Sequence, residues 1–251
     1  WGRWLGKLDL VIDTRGDSVY SYAGRLIETR ASEIQPDRIA ASKAAELESR
    51  VEHSMSEVIG ELLTPWQRAP RSEKTESNIG NWQTDIMREY AGTDLAFQNA
   101  EGIRMGLNAG VITVGDIWKI NPFGNHFVTF PVSGAMVRTM FEFQLEASRR
   151  ELIHFSGMRL TYDSTKPEGN RILSIDIHGR PLNETATYNA VTNNYVASNM
   201  EIHFGIPSEA FSFTPLPDID RDVFIQRIRK DKTISSQRDG RMRDVAKPEH
   251  K

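Results

Sequence analysis

Apolar and polar residues alternate over residues 5–13 and again over residues 18–27, with Arg15-Gly16-Asp17 between the two runs. A period of two on both sides of a short turn predicts a β-hairpin. A lone hairpin is marginal in water and wants a sheet to join. The period then changes. From Pro36 to about residue 63, Ala40, Ala44, Leu47, Val51, Met55 and Ile59 recur at spacings of three and four, which predicts a long amphipathic helix. Residues 64–75 are polar, contain Pro65 and Pro70, and read as a linker.

A second unit is expected from Ser77, an N-cap for a helix over residues 78–90 that Gly92 stops. A short buried strand follows at 94–98, a helix entered through Thr113 at 114–120, and a strand at 126–132. Ser133 caps a helix running to about residue 152. Residues 158–162 and 172–177 pair around Pro167-Glu168-Gly169-Asn170. A strand at 188–192 and a helix at 223–229 precede a polar tail. Strands and helices mix without strict alternation, which gives an α+β (mixed α/β) fold class rather than a doubly wound parallel sheet. The implied domains are 1–64, a linker at 65–75, and 76–251.

Composition narrows the chemistry. The 251 residues carry a net charge of -3, with 39% hydrophobic and 26% charged residues, as in ordinary globular proteins. Nothing global recruits nucleic acid or an anionic membrane, so any anion site is local. The Lys- and Arg-rich stretch 230–251 reads as a solvated C-terminal extension. No cysteine is present, which excludes disulfides, thiolate metal sites and a cysteine nucleophile. No apolar run approaches the roughly 20 residues of a membrane span. The chain opens on Trp1-Gly2-Arg3-Trp4-Leu5, without methionine or a signal-peptide pattern, and reads as a processed or trimmed chain.

The six histidines, His53, His126, His154, His178, His203 and His250, stand in no H-x-H, D-x-H or H-E-x-x-H arrangement. A metal centre needs several such ligands converging, so none is expected from this chain. Gly124-Asn125-His126 is followed by Phe127 rather than an acid, and His126 reads as an ordinary strand residue. No G-x-S-x-G elbow, Walker loop or dinucleotide fingerprint occurs.

What remains is a loop and two aromatics. Asn99 and Arg104 bracket a tight turn on Gly102, offering an amide and a guanidinium fork that matches phosphate oxygens. Phe123 sits after a proline in a sharp turn, and Tyr195 follows Asn193-Asn194 at a strand-to-helix junction. Locally, each also reads as structure: a solvent arginine, a core phenylalanine, a half-buried packing tyrosine.

Taken together, Glu76-Ser77-Asn78-Ile79-Gly80-Asn81, Asn99-Ala100-Glu101-Gly102-Ile103-Arg104, Thr113-Val114-Gly115-Asp116, Asn121-Pro122-Phe123-Gly124-Asn125 and Ser156-Gly157-Met158-Arg159-Leu160-Thr161-Tyr162-Asp163 form an ordered series. In that order and spacing the chain resembles the C-terminal domain of the 5'-nucleotidase family, from about Glu76 to Val196. The first sixty-odd residues resemble the closing hairpin and helix of that family's N-terminal metallophosphatase domain. The resemblance implies a substrate-binding half. Asn99 and Arg104 match positions that contact base and phosphate, Phe123 and Tyr195 the aromatics that sandwich the base, and Glu201 an acid that accepts from ribose hydroxyls.

It also implies a partner metallophosphatase domain holding two divalent metals that activate water, no cofactor or catalytic residue in this chain, a nucleotide-like substrate, and a periplasmic or extracellular setting. The expected function is therefore the substrate-binding portion of a phosphoester hydrolase, inactive alone. A non-catalytic nucleotide-binding or interaction module is the alternative, and a divergent hydrolase of another phosphorylated or sulfur-oxyanion substrate is a third.

Three departures bear on the substrate. Asn199-Met200-Glu201-Ile202 replaces a glycine-rich loop, Glu101 places a negative charge in the phosphate loop, and Thr75 stands where some members have a phosphate-binding arginine, a role left to Arg71 or Lys74. They count against a standard nucleoside monophosphate.

Overall fold

The computed structural model describes residues 3–30, 32–70, 73–146, 148 and 152–247, with His53 described by its backbone alone. The chain divides into two compact units, Trp1–His53 and Ser54–Lys251.

In the first unit β1 (Trp4–Asp13) and β2 (Ser18–Glu28) pair antiparallel, from Trp4 opposite Glu28 to Asp13 opposite Ser18. Asp13 Oδ1 accepts from the Arg15 backbone at 2.9 Å and shapes the turn. The register puts Trp4, Leu8, Leu10, Tyr22 and Leu26 on one face, each at least 48% exposed. Lys7, Asp9, Ser21 and Arg25 point the other way. Asp37 Oδ1 accepts from the Ile39 and Ala40 backbones, and α1 (Arg38–Met55) begins there. Its stripe residues Leu47 and Val51 are exposed.

In the second unit β3 (Val58–Leu62) precedes α2 (Asn78–Ala91), β4 (Leu95–Asn99), β5 (Gly110–Thr113), α3 (Val114–Ile120), β6 (His126–Ser133) and α4 (Gly134–Gln144). Then come β7 (Ile153–Ser156), β8 (Met158–Tyr162), β9 (Ile172–Ile177), β10 (Arg180–Pro181), β11 (Thr187–Asn193), α5 (Asn194–Ser198) and α6 (Met200–Phe204). The last elements are β12 (Thr214–Ile219), α7 (Asp220–Asp231), β13 (Thr233–Ile234) and β14 (Met242–Asp244).

The central sheet runs β12-β6-β11-β4-β7, with β11 and β4 parallel and the other neighbours antiparallel. Successive residues of its inner strands serve opposite layers. Leu95, Phe97, Phe130 and Ala190 join one apolar core, and Ala96, Phe127 and Val191 join the other. That two-sided burial explains the continuous apolar run of β4. Smaller sheets, β10-β9-β8-β14 and β13-β3-β5, flank it. The mixed α/β class is as expected. The caps expected from sequence also form: Ser77 Oγ accepts from the Gly80 backbone, Gly92 is left-handed (φ 62°), and Thr113 with Asp116 makes a capping box.

Three expectations change. The long helix stops at Met55 instead of 63, because Val58, Ile59 and Gly60 extend into β3, which pairs with β5. Gly60 lies against Ile228 and the Lys232 carbonyl of the α7 end, where a helix interior would not fit. The helix from Ser133 stops at Gln144, since Ile153–Ser156 is claimed by β4 as an edge strand. The polar stretches are built in. Trp66 is 2% exposed, its ring lies tilted 4.7 Å from that of Trp82, and its indole donates to Ser236, so this stretch packs into the second unit. Likewise the tail is no free extension through Asp244. Arg241, 8% exposed, makes paired bonds to Asp85 and Asp239 at 2.8–3.0 Å. Residues 248–251, His250 included, lie outside the described residues.

Two buried histidines set an acid sensitivity. His154 packs its ring on Gly80 and lies 3.2 Å from Ser77 Oγ; burial, with help from Arg241 and Arg68, holds its pKa down to about 4. Burial does the same for His203. Each stays neutral in the fold and protonates near pH 6.5 when unfolded, so its contribution is present above pH 6.5 and is lost as pH falls towards 4. Asp220 runs oppositely: burial raises its pKa to about 6, so its contribution is full below about 4 and is lost as pH rises through 6. With two terms against one, unfolding free energy should rise between pH 4 and 6.5. His154→Gln should remove about 3 kcal/mol of that rise in urea titrations at stepped pH. An unchanged slope would show that His154 is not held neutral.

Candidate functional site

β4 ends at Asn99, which is 3% exposed, and a single 3-10 turn, Ala100–Gly102, carries the chain round. A side chain at Gly102 would put Cβ 2.8 Å from Asn99 Oδ1 and 2.8 Å from Gln98 Nε2, so it would displace the two amide ends that close the turn. The Arg104 backbone then donates to the Ile120 carbonyl at 2.9 Å, and its Nη1 donates to the Glu101 carbonyl at 3.2 Å. Glu101, the expected objection to an anion, lies with its carboxylate 3.8 Å from both Arg104 and Arg68. Its charge is thus matched by two guanidiniums. Arg68 also donates to the backbone carbonyls of Ala100 and Arg104.

Two aromatics face this loop. Phe123 follows α3 in the turn before β6 and is 59% exposed; the Arg104 guanidinium lies 5.8 Å from its ring centroid. Tyr195, in the first turn of α5, is 48% exposed and sets an edge against His203 at 5.8 Å. Asn193 caps α5 by accepting from the Val196 backbone and donates to Gln98 and Asn99, which ties the tyrosine's element to the end of β4. Asn99, Glu101, Gly102, Arg104, Phe123, Asn125 and Tyr195 line one cavity of about 250 Å³. Large rings left half in solvent, with amides and a guanidinium between them, suit a flat ligand bearing an anionic group.

Four of the five expected site residues, Asn99, Arg104, Phe123 and Tyr195, therefore meet in one cavity. Glu201 does not line it; it is exposed on α6. The loop expected to shape a ribose pocket is helical, and its Met200 is buried in the core. Lys74 is committed elsewhere, to the carbonyls of Gln144 and Glu146 at the end of α4, and Arg71 lies outside the described residues. The Glu76–Asn81 motif is scaffold. Asn78 bonds the Gln67 backbone and the Pro65 carbonyl, while Glu76 accepts from Asn81 and the Gly240 backbone.

Asn125 and Arg68 escape sequence reasoning. Asn125 closes the Asn121–Asn125 motif but receives no site role there, although it follows Gly124, a left-handed turn residue (φ 63°) that turns the chain beside Phe123. Arg68 stands in the stretch that reads as a linker, and no local signal distinguishes it.

The family model described as 5'-nucleotidase, C-terminal domain matches residues 58–204. Endonuclease YhcR of Bacillus subtilis (strain 168) is 29% identical over 198 residues, covering 79% of this chain and 16% of its own length. The trifunctional nucleotide phosphoesterase protein YfkN of the same organism is 24% identical, covering 99% of this chain and 18% of its own length. The solved structure of a 5'-nucleotidase precursor from Thermus thermophilus superposes with a TM-score of 0.73 at 28% identity, covering 99% of this chain and 51% of that one. The chain thus spans about half of that structure and less than a fifth of the two curated relatives. With more than half of its residues matched in the order of the motifs above, the chain belongs to the 5'-nucleotidase C-terminal domain family.

Proposed function

We propose that the second unit is the nucleotide-holding part of a phosphoester hydrolase. The observation that carries this reading is the meeting of Phe123, Tyr195, two asparagines and Arg104 in one cavity of about 250 Å³. The ring of the ligand stacks between Phe123 and Tyr195, Asn125 and Asn99 serve its polar edge, and Arg104 faces its phosphate.

Among the described residues, no group of three or more His, Asp or Glu could hold a metal ion. The role assigned to this chain on this proposal is binding and orientation. The two divalent metals that the family resemblance implies belong, on this proposal, to a metallophosphatase domain. The apolar face of the β1–β2 hairpin supports assigning the first unit to that domain, because seven-tenths-exposed residues such as Leu26 and Tyr22 require cover. On this proposal its complement lies in the length that the relatives carry beyond the part matched by this chain.

Arg104→Ala tests the reading. Charge-assisted hydrogen bonds are worth about 1.5–3 kcal/mol, so AMP affinity should fall about tenfold or more while adenosine affinity stays within about twofold. Equal losses for both ligands, or none for AMP, would remove Arg104 from the phosphate. A second reading, a binding module that acts without hydrolysis, is favoured by Glu101, whose carboxylate already occupies both guanidiniums. It is chosen if the chain, joined to a metal-bearing domain, binds nucleotide and releases no phosphate.

A further inference from the structure

Phe123 is more than half exposed, so packing of its own ring does not fix where it stands. The turn that carries it is fixed from α7. The Arg221 guanidinium, in a residue 9% exposed, lies over Trp118 of α3 with its carbon 3.5 Å from the ring centroid. From there Nη1 donates to the Pro122 carbonyl at 3.4 Å, immediately before Phe123. The same guanidinium fills the space beside Gly124, where a Cβ would sit 3.2 Å from Nη1 and Nη2. On the far side of the turn the Asp220 backbone donates to the Asn125 carbonyl at 2.8 Å. Two consecutive residues at the start of α7 thus hold the carbonyls on either side of Phe123 and Gly124. Both lie beyond residues 58–204, the part that matches the family.

We propose that Arg221 is a positioning residue for the ring site: seated on Trp118, it clamps the 122–125 turn and so sets the gap between Phe123 and Tyr195. It touches no ligand itself, since it does not line the cavity. The proposal rests on the proposed function for its ligand, and not for its geometry. Arginine suits the position because a planar guanidinium can stack and donate at once, which a lysine ammonium cannot.

The absence of cysteine allows site-directed spin labelling. In the full chain carrying F123C and Y195C, spin labels should give one narrow distance distribution, and adding Arg221→Ala should broaden it. In the chain with both aromatics intact, Arg221→Ala should lower adenosine affinity about tenfold, within the worth of one stacked base, and leave ribose 5-phosphate within about twofold. Trp118→Leu should reproduce both effects more weakly; Trp118 is 38% exposed, so this variant serves where Arg221→Ala does not fold. An unbroadened distribution in a folded variant, or equal losses for adenosine and ribose 5-phosphate, overturns the clamp. If the unaltered chain binds no adenosine, the proposed function fails, and the distance measurement still decides the clamp.

Discussion

Replacing Gly157 by alanine should cost the second unit about 4 kcal/mol or more, a large part of the roughly 5–15 kcal/mol that stabilises an ordinary domain. Gly157 is the single residue between β7, in the central sheet, and β8, in the four-stranded sheet. To turn that corner it adopts φ 87°, which L-residues avoid. A Cβ there would also overlap the Asp94 carbonyl oxygen and lie 3.0 Å from both the Asp94 carbonyl carbon and Arg88 Cδ. The arginine can move, but the carbonyl belongs to the residue just before β4, whose own N–H is bonded to the Asn189 carbonyl of β11, and cannot move without disturbing the central sheet. Gly92→Ala is the control. That residue is also left-handed (φ 62°), yet nothing lies within 4 Å of its Cβ position, so the change should cost only about 1 kcal/mol. Urea unfolding followed by tryptophan fluorescence compares the two. Equal effects would mean that the contact with Asp94 does not matter.

Phe123→Ala should have the largest effect on binding. A base stacked on an aromatic side chain is worth about 1–3 kcal/mol, so adenosine affinity should fall about 5- to 150-fold. Because Phe123 is 59% exposed and contributes little to either core, the melting temperature should not follow. Tyr195→Ala should resemble it, and Tyr195→Phe, which keeps the ring, should stay within about threefold of the parent. Loss of stability in step with affinity would make Phe123 a packing residue after all, the bland reading that its local sequence leaves open.

The fold was legible where one segment decides its own structure. The hairpin of β8 and β9 and the caps at Ser77, Gly92 and Thr113 needed only local period and capping chemistry. It was illegible where a distant partner decides. Ile59 continues the helical stripe of α1, yet β5 and α7 draw it into a strand. Arg241 looks like tail until Asp85, far away in sequence, pairs with it.

The site divides the same way. Asn99, Arg104, Phe123 and Tyr195 become candidates through the order of motifs, since each alone reads equally well as structure, and the cavity brings them together. Glu101 looks prohibitive in the sequence because the arginine on its other side, Arg68, reads as linker. Arg221 carries no signal at all, because its effect runs through Trp118 and a turn almost a hundred residues earlier.

The central claim, that this cavity holds a flat ring, is tested most directly by calorimetric titration of the unaltered chain with adenosine, with AMP and UDP-glucose in parallel. A saturable heat with adenosine, one site per chain, that disappears in Phe123→Ala is the expected result. No heat with any of the three at high protein concentration, or an adenosine heat indifferent to Phe123, would contradict it.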